Sequence, residues 1–307
     1  MKSGPETPTT LQLELRGALK EGIARLNAAS VPSSALAAEL LLMHALGRSR
    51  TWLYTHAEDG LEADAADKYF VLIARRAAGE PVQYIVGTQE FWGLEFEVTP
   101  AVLIPRPETE HLIEVAIERL GSRRSEAMHI ADVGTGSGCI AVALAKEFSN
   151  AQIIATDIFV DALEIAKRNA TRHRFEDRIQ FVEADLLRPT RHSPRVTSHS
   201  LSPPNLLHLI VSNPPYIARS DAHTLQREIR EYEPEVALYG GETGLEMYAR
   251  LIDQSVQMLA PGGTLAMELG YGAAERVREM FNSAEWKNLS ITNDLAAIPR
   301  VIAADRA

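Results

Sequence analysis

The most constraining feature of this chain is an alternation of short β-like runs with helical stretches in its second half. The runs typical of strands are His129 to Val133, Gln152 to Thr156, Ile179 to Val182, Leu207 to Ser212 and Gly263 to Glu268. Helices are predicted at Ile140 to Phe148, Asp161 to Arg172, Thr224 to Tyr232 and Leu245 to Leu259. Strand, crossover helix and strand, repeated in this way, predict an α/β fold with a parallel, doubly wound sheet. Ligands of such sheets bind in the loops after the carboxyl ends of the strands.

The first part of the chain has a different periodicity. From Leu11 to about Gly79 the apolar residues recur at helical spacing, which predicts a small helical bundle. Ser33 or Ser34 is a candidate N-cap, and Gly47 stands where a helix is expected to end. The polar residues of this bundle form no cluster typical of a catalytic site, so we expect it to serve recognition.

The residues after the bundle predict a connection between two domains. Apolar and polar residues alternate around Gly93, within Gln89 to Leu103, as in a two-stranded hairpin. In Ile104 to Glu110 two prolines flank Arg106, and a helix is expected to begin near Glu108. Three regions are therefore predicted: a helical domain over residues 1–80, a hairpin linker over 81–105 and an α/β domain over 106–307.

Composition limits the class of protein. Lys and Arg number 31 against 41 Asp and Glu, a formal charge of -10, which argues against a protein that wraps long nucleic acid. The single cysteine, Cys139, excludes an internal disulfide, and the nine histidines lack metal-ligand spacing, so no metal is expected. Cys139 is itself interpreted as a small packed residue rather than a covalent nucleophile.

Targeting signals are not expected either. The start of the chain, MKSGPETPTT, has an acidic residue and prolines where a signal peptide has an apolar core. The longest apolar stretch, Ala35 to Leu46, is interrupted by Glu39 and His44 and is shorter than the ~20 residues that span a bilayer. We therefore expect no membrane partner and a cytoplasmic location, which the single cysteine also fits.

A glycine-rich turn predicts a nucleotide-like cofactor. Asp132 to Gly138 reads DVGTGSG between a strand and a helix, where glycines let the backbone pass close to a ligand. Gly136, Gly138 and Ala141 also satisfy the G-x-G-x-x-A variant of a dinucleotide fingerprint, so NAD remains an alternative.

Two acidic residues follow the next strands. Asp157 comes 19 residues after Gly138, and a carboxylate there can accept hydrogen bonds from both ribose hydroxyls with either cofactor. Asp185 follows the third strand, where it suits the edge of an adenine or, equally, the N-cap of a helix.

The turn Asn213-Pro214-Pro215-Tyr216 follows the strand Leu207 to Ser212 and indicates the chemistry. Two prolines remove two backbone donors and restrict two φ angles, so the turn is a rigid acceptor surface. The Asn213 side-chain carbonyl and the Pro214 backbone carbonyl can accept the two hydrogens of one planar NH2 group, beside the aromatic ring of Tyr216. The nitrogen of such a group is a poor nucleophile because its lone pair is delocalised. Two aligned acceptors can polarise it and orient it for reaction.

These motifs together resemble a known family. DVGTGSG, Asp157 and VSNPPYI, in this order, are similar to S-adenosylmethionine-dependent methyltransferases that modify planar amino nitrogens. Three further segments make the resemblance narrower: PVQYIVG at Pro81 to Gly87, VLIPRPETE at Val102 to Glu110 and YEPEVALYGGETGL at Tyr232 to Leu245. With them, the chain resembles the peptide chain release factor glutamine methyltransferases over nearly its whole length. The resemblance implies a Rossmann-like methyltransferase domain and N5-methylation of the glutamine in the Gly-Gly-Gln motif of class 1 release factors.

The same resemblance implies roles for individual residues. Those implied to bind S-adenosylmethionine are Gly134, Thr135, Gly136, Ser137, Gly138, Asp157, Asp185, Leu186 and Asn213. Those implied to hold the substrate glutamine as catalytic residues are Asn213, Pro214, Pro215 and Tyr216. Either Asp185 or Leu186 would border the adenine.

Two other functions remain open at this point. The two acceptors at Asn213 and Pro214 together form an amide clamp. A DNA or RNA amino-methyltransferase would use the same clamp, since adenine N6 and cytosine N4 are planar NH2 groups. Against it, residues 1–105 carry 9 Lys and Arg and 13 Asp and Glu, a net charge of -4, so no direct nucleic-acid partner is expected. A nucleotide-sensing scaffold is the other alternative, which the intact Asn213 clamp disfavours.

One segment has no assigned function. Arg188 to Asn205 is rich in Ser, Pro and Arg and is aperiodic, so it is interpreted as an exposed insertion. Its three arginines without acidic neighbours could contact RNA, but a solvated loop is the favoured interpretation.

Overall fold

The structure is a computed structural model that describes residues 13–190 and 206–307. Leu11, where the bundle was predicted to begin, and most of the segment Arg188 to Asn205 lie outside the described residues. The chain divides into two compact units between Val86 and Gly87. Each unit has its own apolar core.

The unit that ends at Val86 is helical, as predicted. Its helices are α1 (Leu15–Ala28), α2 (Ser34–Leu46), α3 (Arg50–Thr55), α4 (Ala63–Ala77) and α5 (Val82–Val86). The core that they share includes the buried residues Leu26, Leu41, Leu42, Tyr69 and Ile73. Helical spacing placed these side chains on the inner faces, so burial of apolar area stabilises the bundle.

The two ends of α2 are formed differently, by a serine at the N-cap and a glycine at the C-cap. Ser33 occupies the N-cap position with φ 51°, but its side chain makes no capping hydrogen bond. The Ser34 hydroxyl instead donates to the Asn27 side-chain oxygen at 2.6 Å. Ser33 is therefore the N-cap residue, as predicted, but its hydroxyl does not cap the helix with a hydrogen bond. Gly47 ends α2 with φ 62°, the left-handed conformation that glycine adopts without strain.

A hairpin begins the second unit. Its strands are β1 (Thr88–Phe91) and β2 (Leu94–Glu97), in antiparallel register. The two residues between them, Trp92 and Gly93, have φ 54° and 68°, the positive values of a two-residue hairpin turn. Residues 98–103, included in the predicted hairpin, are not strand.

The predicted strands and helices are present in the predicted order up to β10, and the short elements β6, β8, β9 and α10 occur in addition. The helices are α6 (Glu110–Leu120), α7 (Cys139–Glu147), α8 (Val160–Arg172), α9 (Arg227–Tyr232), α10 (Glu235–Leu238), α11 (Glu246–Met258) and α12 (Ala274–Arg278). The strands are β3 (Met128–Val133), β4 (Ala151–Asp157), β5 (Ile179–Asp185), β6 (Arg188–Pro189), β7 (Leu207–Ser212), β8 (Ile217–Ala218), β9 (Tyr239–Gly241), β10 (Leu259–Glu268), β11 (Trp286–Asn293) and β12 (Pro299–Arg306). Two predicted helix starts shift: α6 follows a 3-10 turn at Pro107–Thr109, and α9 follows one at Arg219–Thr224.

Eight strands form the main sheet, in the order β11-β12-β10-β7-β3-β4-β5-β6. The five predicted strands pair in parallel, which confirms the doubly wound fold. The sheet also contains antiparallel strands that were not predicted: β12 is antiparallel to β10, β11 is antiparallel to β12, and β6 is antiparallel to β5. β11 is an edge strand in which only Trp286 is buried, so it lacks the continuous apolar run that marks a buried strand.

The apolar core lies on both faces of this sheet. In β7, Leu209 and Val211 belong to a cluster with α6 and α7, while Ile210 belongs to a cluster with α11. Successive side chains of a strand point to opposite faces, so a strand that is apolar throughout is covered by helices on both sides. The result is a three-layer α/β unit.

The topology places two loops together. From β3 the chain continues to β4 and β5 on one side, and β7 and β10 lie on the other. Val133, the last residue of β3, is level with Ser212 of β7 and with Thr156 of β4. The turns that follow β3 and β7 therefore leave the sheet side by side at its topological switch point, where open α/β sheets bind ligands.

Candidate active site

The turn after β3 is built on glycines with positive φ. Gly134, Gly136 and Gly138 have φ 72°, 53° and 80°. A Cβ at Gly134 or Gly136 would meet nothing within 4 Å, so the backbone borders open space there. A Cβ at Gly138 would lie 3.0 Å from the Ala166 Cβ. Gly138 therefore permits close packing against α8, whereas Gly134 and Gly136 leave room for a ligand.

A buried carboxylate supports this turn from below. Asp132 Oδ2 accepts hydrogen bonds from the Thr135 hydroxyl at 2.6 Å and from the Ala141 backbone N–H at 3.1 Å. Its Oδ1 is buried and has no partner among the described residues. Burial raises the pKa of Asp132 to about 7, because the charged form loses its hydration. Asp132 was not predicted as a site residue, although it begins the DVGTGSG motif.

Asp157 connects the turn to the end of β4. Its Oδ2 accepts from the Gly136 N–H at 2.9 Å and its Oδ1 from the Phe159 N–H at 3.0 Å. Burial raises the pKa of Asp157, and the backbone donors oppose that shift. A carboxylate has about four acceptor positions, so both oxygens can accept further hydrogen bonds.

Asp185 and Leu186 follow β5. Asp185 Oδ2 accepts from an Arg250 guanidinium NH2 at 2.6 Å, and both side chains are half exposed. No helix begins there, because the chain continues into β6, so the alternative of an N-cap at Asp185 was wrong. Leu186 is buried, with φ 57°.

These residues surround a cavity of about 290 Å³. Of the predicted cofactor residues, those that line it are Gly134, Thr135, Gly136, Ser137, Asp157, Asp185, Leu186 and Asn213. Gly138 does not line it. Sequence reasoning missed Ile158 and Phe159, which follow Asp157 and line the same cavity. Cys139 also borders it, and burial raises the pKa of its thiol to about 12, so the thiol stays protonated at neutral pH.

The turn after β7 lies between this cavity and a second one. The second cavity, of about 510 Å³, is lined by Asn213, Pro214 and Tyr216, while the first is lined by Asn213, Pro214 and Pro215. Asn213 and Pro214 therefore border both cavities. A group held at these two residues would be next to a ligand in each.

The side chains of this turn are held by a buried hydrogen-bond chain. Asn213 Nδ2 donates to Thr109 Oγ1 at 3.1 Å, and the Thr109 hydroxyl donates to Glu268 Oε2 at 2.6 Å. The Tyr216 hydroxyl donates to Glu268 Oε1 at 3.3 Å. Glu268 is 3% exposed, and burial raises its pKa to about 7. Sequence reasoning missed Thr109 and Glu268, although Glu268 ends an apolar strand at the same sheet edge as Asp157.

Three glycines approach the backbone and ring of the same turn. A Cβ at Gly240 would lie 2.3 Å from the Pro215 carbonyl oxygen, and one at Gly244 would lie 2.3 Å from the Tyr216 carbonyl oxygen. A Cβ at Gly270 would lie 2.8 Å from the Tyr216 ring. Only glycine fits at these distances, so the segment YGGETG and the loop after β10 pack directly on the turn.

An ion pair joins two other motif segments beside the cavities. The Arg106 guanidinium pairs with Glu233, whose other oxygen accepts from the Ile104 N–H at 3.4 Å. Arg106 lines both cavities, and Glu233 is buried. The pKa of Glu233 is raised mainly by burial, and Arg106 opposes that shift. The IPRPETE and YEPE segments are thereby fixed to each other at the cavity wall.

Among residues 13–190 and 206–307, no group of three or more His, Cys, Asp and Glu is placed to hold a metal ion. Likewise, no helix in these ranges is both long and apolar enough to cross a bilayer.

Comparison with known proteins identifies related folds and sequences. The PrmC N-terminal domain family matches residues 17–87, and the methyltransferase small domain family matches residues 113–232. Among solved structures, the hMettl16 catalytic domain in complex with a MAT2A 3'UTR hairpin is similar with a TM-score of 0.53 and 18% identity, over 76% of this chain and 81% of that chain. This likeness shows the fold alone.

Curated relatives cover nearly the whole chain. The release factor glutamine methyltransferase of Koribacter versatilis is 44% identical over 94% of this chain and 98% of its own length. That of Nitratidesulfovibrio vulgaris is 40% identical over 97% of both chains, and that of Clostridium botulinum is 36% identical over 94% and 98%. The chain therefore belongs to the family of release factor glutamine methyltransferases.

Proposed function

We propose that this protein transfers a methyl group from S-adenosylmethionine to the side-chain amide nitrogen, N5, of the glutamine in the Gly-Gly-Gln motif of class 1 peptide chain release factors. The observation that carries the proposal is the place of Asn213 and Pro214 between two cavities. An NH2 group held from the second cavity would face the cofactor cavity. Membership of the family supports glutamine as the acceptor.

The first cavity fits the cofactor. Gly134 and Gly136 leave open the space that side chains would fill, which suits the amino-acid arm of S-adenosylmethionine. The Asp157 carboxylate, held by two backbone donors, would accept from the ribose hydroxyls. Asp185, oriented by Arg250, and the buried Leu186 would border the adenine. Bound there, the cofactor supplies a methyl group on an electrophilic sulfonium.

The Asn213 turn addresses the weak nucleophilicity of an amide. The Asn213 Oδ1 and the Pro214 carbonyl would each accept one hydrogen of the substrate NH2, which fixes its plane and polarises it. Holding the nitrogen in line with the methyl carbon contributes up to about 7–11 kcal/mol by the effective-molarity argument. The Tyr216 ring would form one wall of the substrate cavity.

No side chain in this arrangement serves as a general base. Glu268 is buried and already accepts from Thr109 and Tyr216, so its carboxylate does not face the substrate nitrogen. The amide proton is lost after methyl transfer, to water, once the nitrogen carries positive charge. Cys139 keeps its proton and takes no part.

The helical unit is proposed to recognise the release factor. Residues 1–105, which comprise the helical unit and the hairpin after it, have a net charge of -4, which does not favour a phosphate backbone, so we propose no direct nucleic-acid partner. The proposed place of action is the cytoplasm, where release factors work, and a single buried cysteine suits its reducing conditions.

Methyl-labelled S-adenosylmethionine tests the proposal. The protein is incubated separately with a class 1 release factor, with the same factor carrying alanine in place of its Gly-Gly-Gln glutamine, and with duplex DNA. Label is expected only in the unaltered release factor, and mass spectrometry should place one methyl group on that glutamine. Labelling of the alanine factor or of DNA would contradict the proposed acceptor.

A further inference from the structure

The hydrogen-bond chain behind Asn213 determines which way its amide faces. An asparagine amide can turn by 180° about its last side-chain bond, which exchanges the oxygen and the NH2 group. Only one of the two orientations presents Oδ1 to a substrate NH2. The other presents a second NH2 group and repels the substrate.

The Thr109 hydroxyl selects between them because it has one proton. That proton is donated to Glu268 Oε2 at 2.6 Å, a carboxylate oxygen that only accepts when ionised. Thr109 Oγ1 can then only accept from Asn213, and it does so from Nδ2 at 3.1 Å. None of the described residues donates to Asn213 Oδ1, which is left for a ligand of the two cavities.

The same carboxylate also holds the other end of the turn. Tyr216 donates its hydroxyl proton to Glu268 Oε1 at 3.3 Å, and Thr109 and Glu268 are both 3% exposed. Water therefore does not compete for these bonds, and losing one leaves a buried polar atom without a partner. One buried acid thus constrains both polar side chains of the Asn213-Tyr216 turn.

We propose that Thr109 and Glu268 are positioning residues for methyl transfer, which keep the Asn213 amide oriented with its oxygen toward the substrate. This inference rests on the proposed function, because it concerns the same amide clamp. Glu268 lines neither cavity, and Thr109, which lines the first, has its hydroxyl engaged by Glu268 and Asn213. Both act through Asn213, and Glu268 also acts through Tyr216.

The ionisation of Glu268 gives this device a pH dependence. When Glu268 is protonated it can donate to Thr109, whose own proton is then free for Asn213 Oδ1, and the reversed amide is favoured. Burial raises the pKa of Glu268 to about 7, so the rate of methyl transfer is expected to fall as the pH drops below that value. This fall is the acid limb of the pH profile. The active form is the ionised one.

The charged and titratable neighbours of Glu268 come from four segments. Glu108 raises its pKa and Arg300, on β12, lowers it. Tyr216 and Tyr248 are the phenols nearby, and Tyr248 donates to the Glu268 backbone oxygen at 3.0 Å. Burial raises the pKa of both phenols above its usual value, so neither titrates between pH 6 and 8. Neither phenol therefore gives rise to the acid limb. Asp132, whose pKa burial also raises to about 7, makes no hydrogen bond to Asn213, Thr109 or Glu268 among the described residues, so loss of the limb in Thr109→Val distinguishes Glu268 from Asp132.

The test compares Thr109→Val with Thr109→Ser in the full-length protein. Valine has the shape of threonine without the hydroxyl, while serine keeps the hydroxyl. Thr264→Val is the matched control, because Thr264 is also buried and donates to a carboxylate, that of Asp305 at 2.8 Å, but is not connected to Asn213. Steady-state methylation of a release factor is measured from about pH 6 to about pH 8.5, together with cofactor affinity by calorimetry.

Thr109→Val is expected to lower kcat about 10- to 100-fold at the alkaline end, through misorientation of the clamp, with cofactor affinity close to that of the wild type. Its pH profile should lose the acid limb. Thr109→Ser should restore most of the rate and the limb, and Thr264→Val should keep the wild-type profile. If Thr109→Val does not bind the cofactor, Glu268→Gln replaces it, with a lowered rate that no longer varies with pH.

Several results would overturn the inference while leaving the proposed function in place. They are a wild-type kcat in Thr109→Val, a loss in Thr109→Ser as large as in Thr109→Val, or an unchanged acid limb in Thr109→Val and Glu268→Gln. Failure of the wild-type protein to label the release factor at any pH would instead reject the proposed function. The two failures are therefore distinguishable.

Discussion

At the scale of single residues, carboxylates of the same type have different roles because their partners differ. Asp157 accepts from two backbone N–H groups and lines the cavity. Asp132 is buried behind the turn, and one of its oxygens has no partner in the part of the chain that the structure describes. Asp185 is half exposed and paired with Arg250. For Asp132 and Asp157, burial raises the pKa and hydrogen-bond donors oppose the shift, so surroundings rather than residue type determine their pKa values.

Substitution of Asn213, in the amide clamp, and of Asp157, which is proposed to bind the ribose, should affect different steps of the reaction. Asn213→Ala is expected to abolish most methyl transfer while cofactor affinity stays nearly intact, because the side chain acts on the substrate NH2. Asp157→Ala should chiefly weaken cofactor binding, since it loses the proposed ribose contacts and the bond to the Gly136 N–H. Calorimetry with S-adenosylmethionine and single-turnover labelling separate the two. Normal transfer by Asn213→Ala would reject the clamp.

Asp132 should make stability depend on pH. Its pKa is about 7 in the folded protein, above its usual value near 3.8, so its contribution is present below about pH 4 and is lost as the pH rises through 7. Asp132→Asn does not titrate, and its unfolding free energy relative to the wild type should rise by about 2–3 kcal/mol from pH 5 to pH 8. Denaturant unfolding at both pH values measures this. An equal difference at both would contradict the buried-acid interpretation.

At the scale of elements, the loops at the sheet edge are held by close backbone contact. The turn after β7 is packed by Gly240, Gly244 and Gly270, and its Asn213 side chain is held by Thr109 from the IPRPETE segment. These segments are distant in sequence and meet because parallel strands end at one edge. The rigidity of the turn therefore comes both from its prolines and from neighbours that leave no free space.

Adding one methyl group at Gly240 should disturb this packing. The Cβ of Gly240→Ala would lie 2.3 Å from the Pro215 carbonyl oxygen, so the turn must shift. We expect a loss of about 1–3 kcal/mol in stability and a reduced kcat, as for overpacking in general. Gly121→Ala is the control, because its Cβ would make an ordinary contact at 3.9 Å. Thermal unfolding and methylation assays measure both, and equal effects of the two variants would contradict the packing argument.

At the scale of the whole molecule, chemistry and recognition are expected to belong to different units. All residues of the two cavities lie between residues 101 and 276, within the unit that begins at Gly87. The helical unit has a separate core, centred on residues such as Leu41 and Tyr69. Because each unit has its own apolar core, we expect each to fold independently.

A chain that begins at Gly87 should therefore keep the cofactor site and lose substrate recognition. We expect S-adenosylmethionine affinity within about threefold of the full chain, and a kcat/KM for the release factor lowered mainly through KM. Calorimetry and steady-state labelling give the two quantities. An unchanged kcat/KM would show that the helical unit has no part in recognising the substrate.

Local pattern was sufficient to predict most of the fold. Buried parallel strands are apolar throughout and alternate with helices, so β3, β4, β5, β7 and β10 were recognisable within a few residues of their bounds. β11 and β12 were not, because an exposed edge strand has no such run, and the antiparallel pair breaks the alternation. The glycine turn, Asp157 and the Asn213 turn could be placed at strand ends from the sequence because each directly follows an apolar run, and their roles stay predictions.

The partners of those residues were decided only by the tertiary structure. The sequence indicated that acceptor groups follow the strands. Their contacts depend on segments up to 159 residues apart: Asp185 with Arg250, Gly240 with Pro215, and Asn213 through Thr109 with Glu268. A side chain's chemistry can be read from its type and local spacing. Its orientation and charge state depend on which groups exclude water from it, and long-range packing alone determines that.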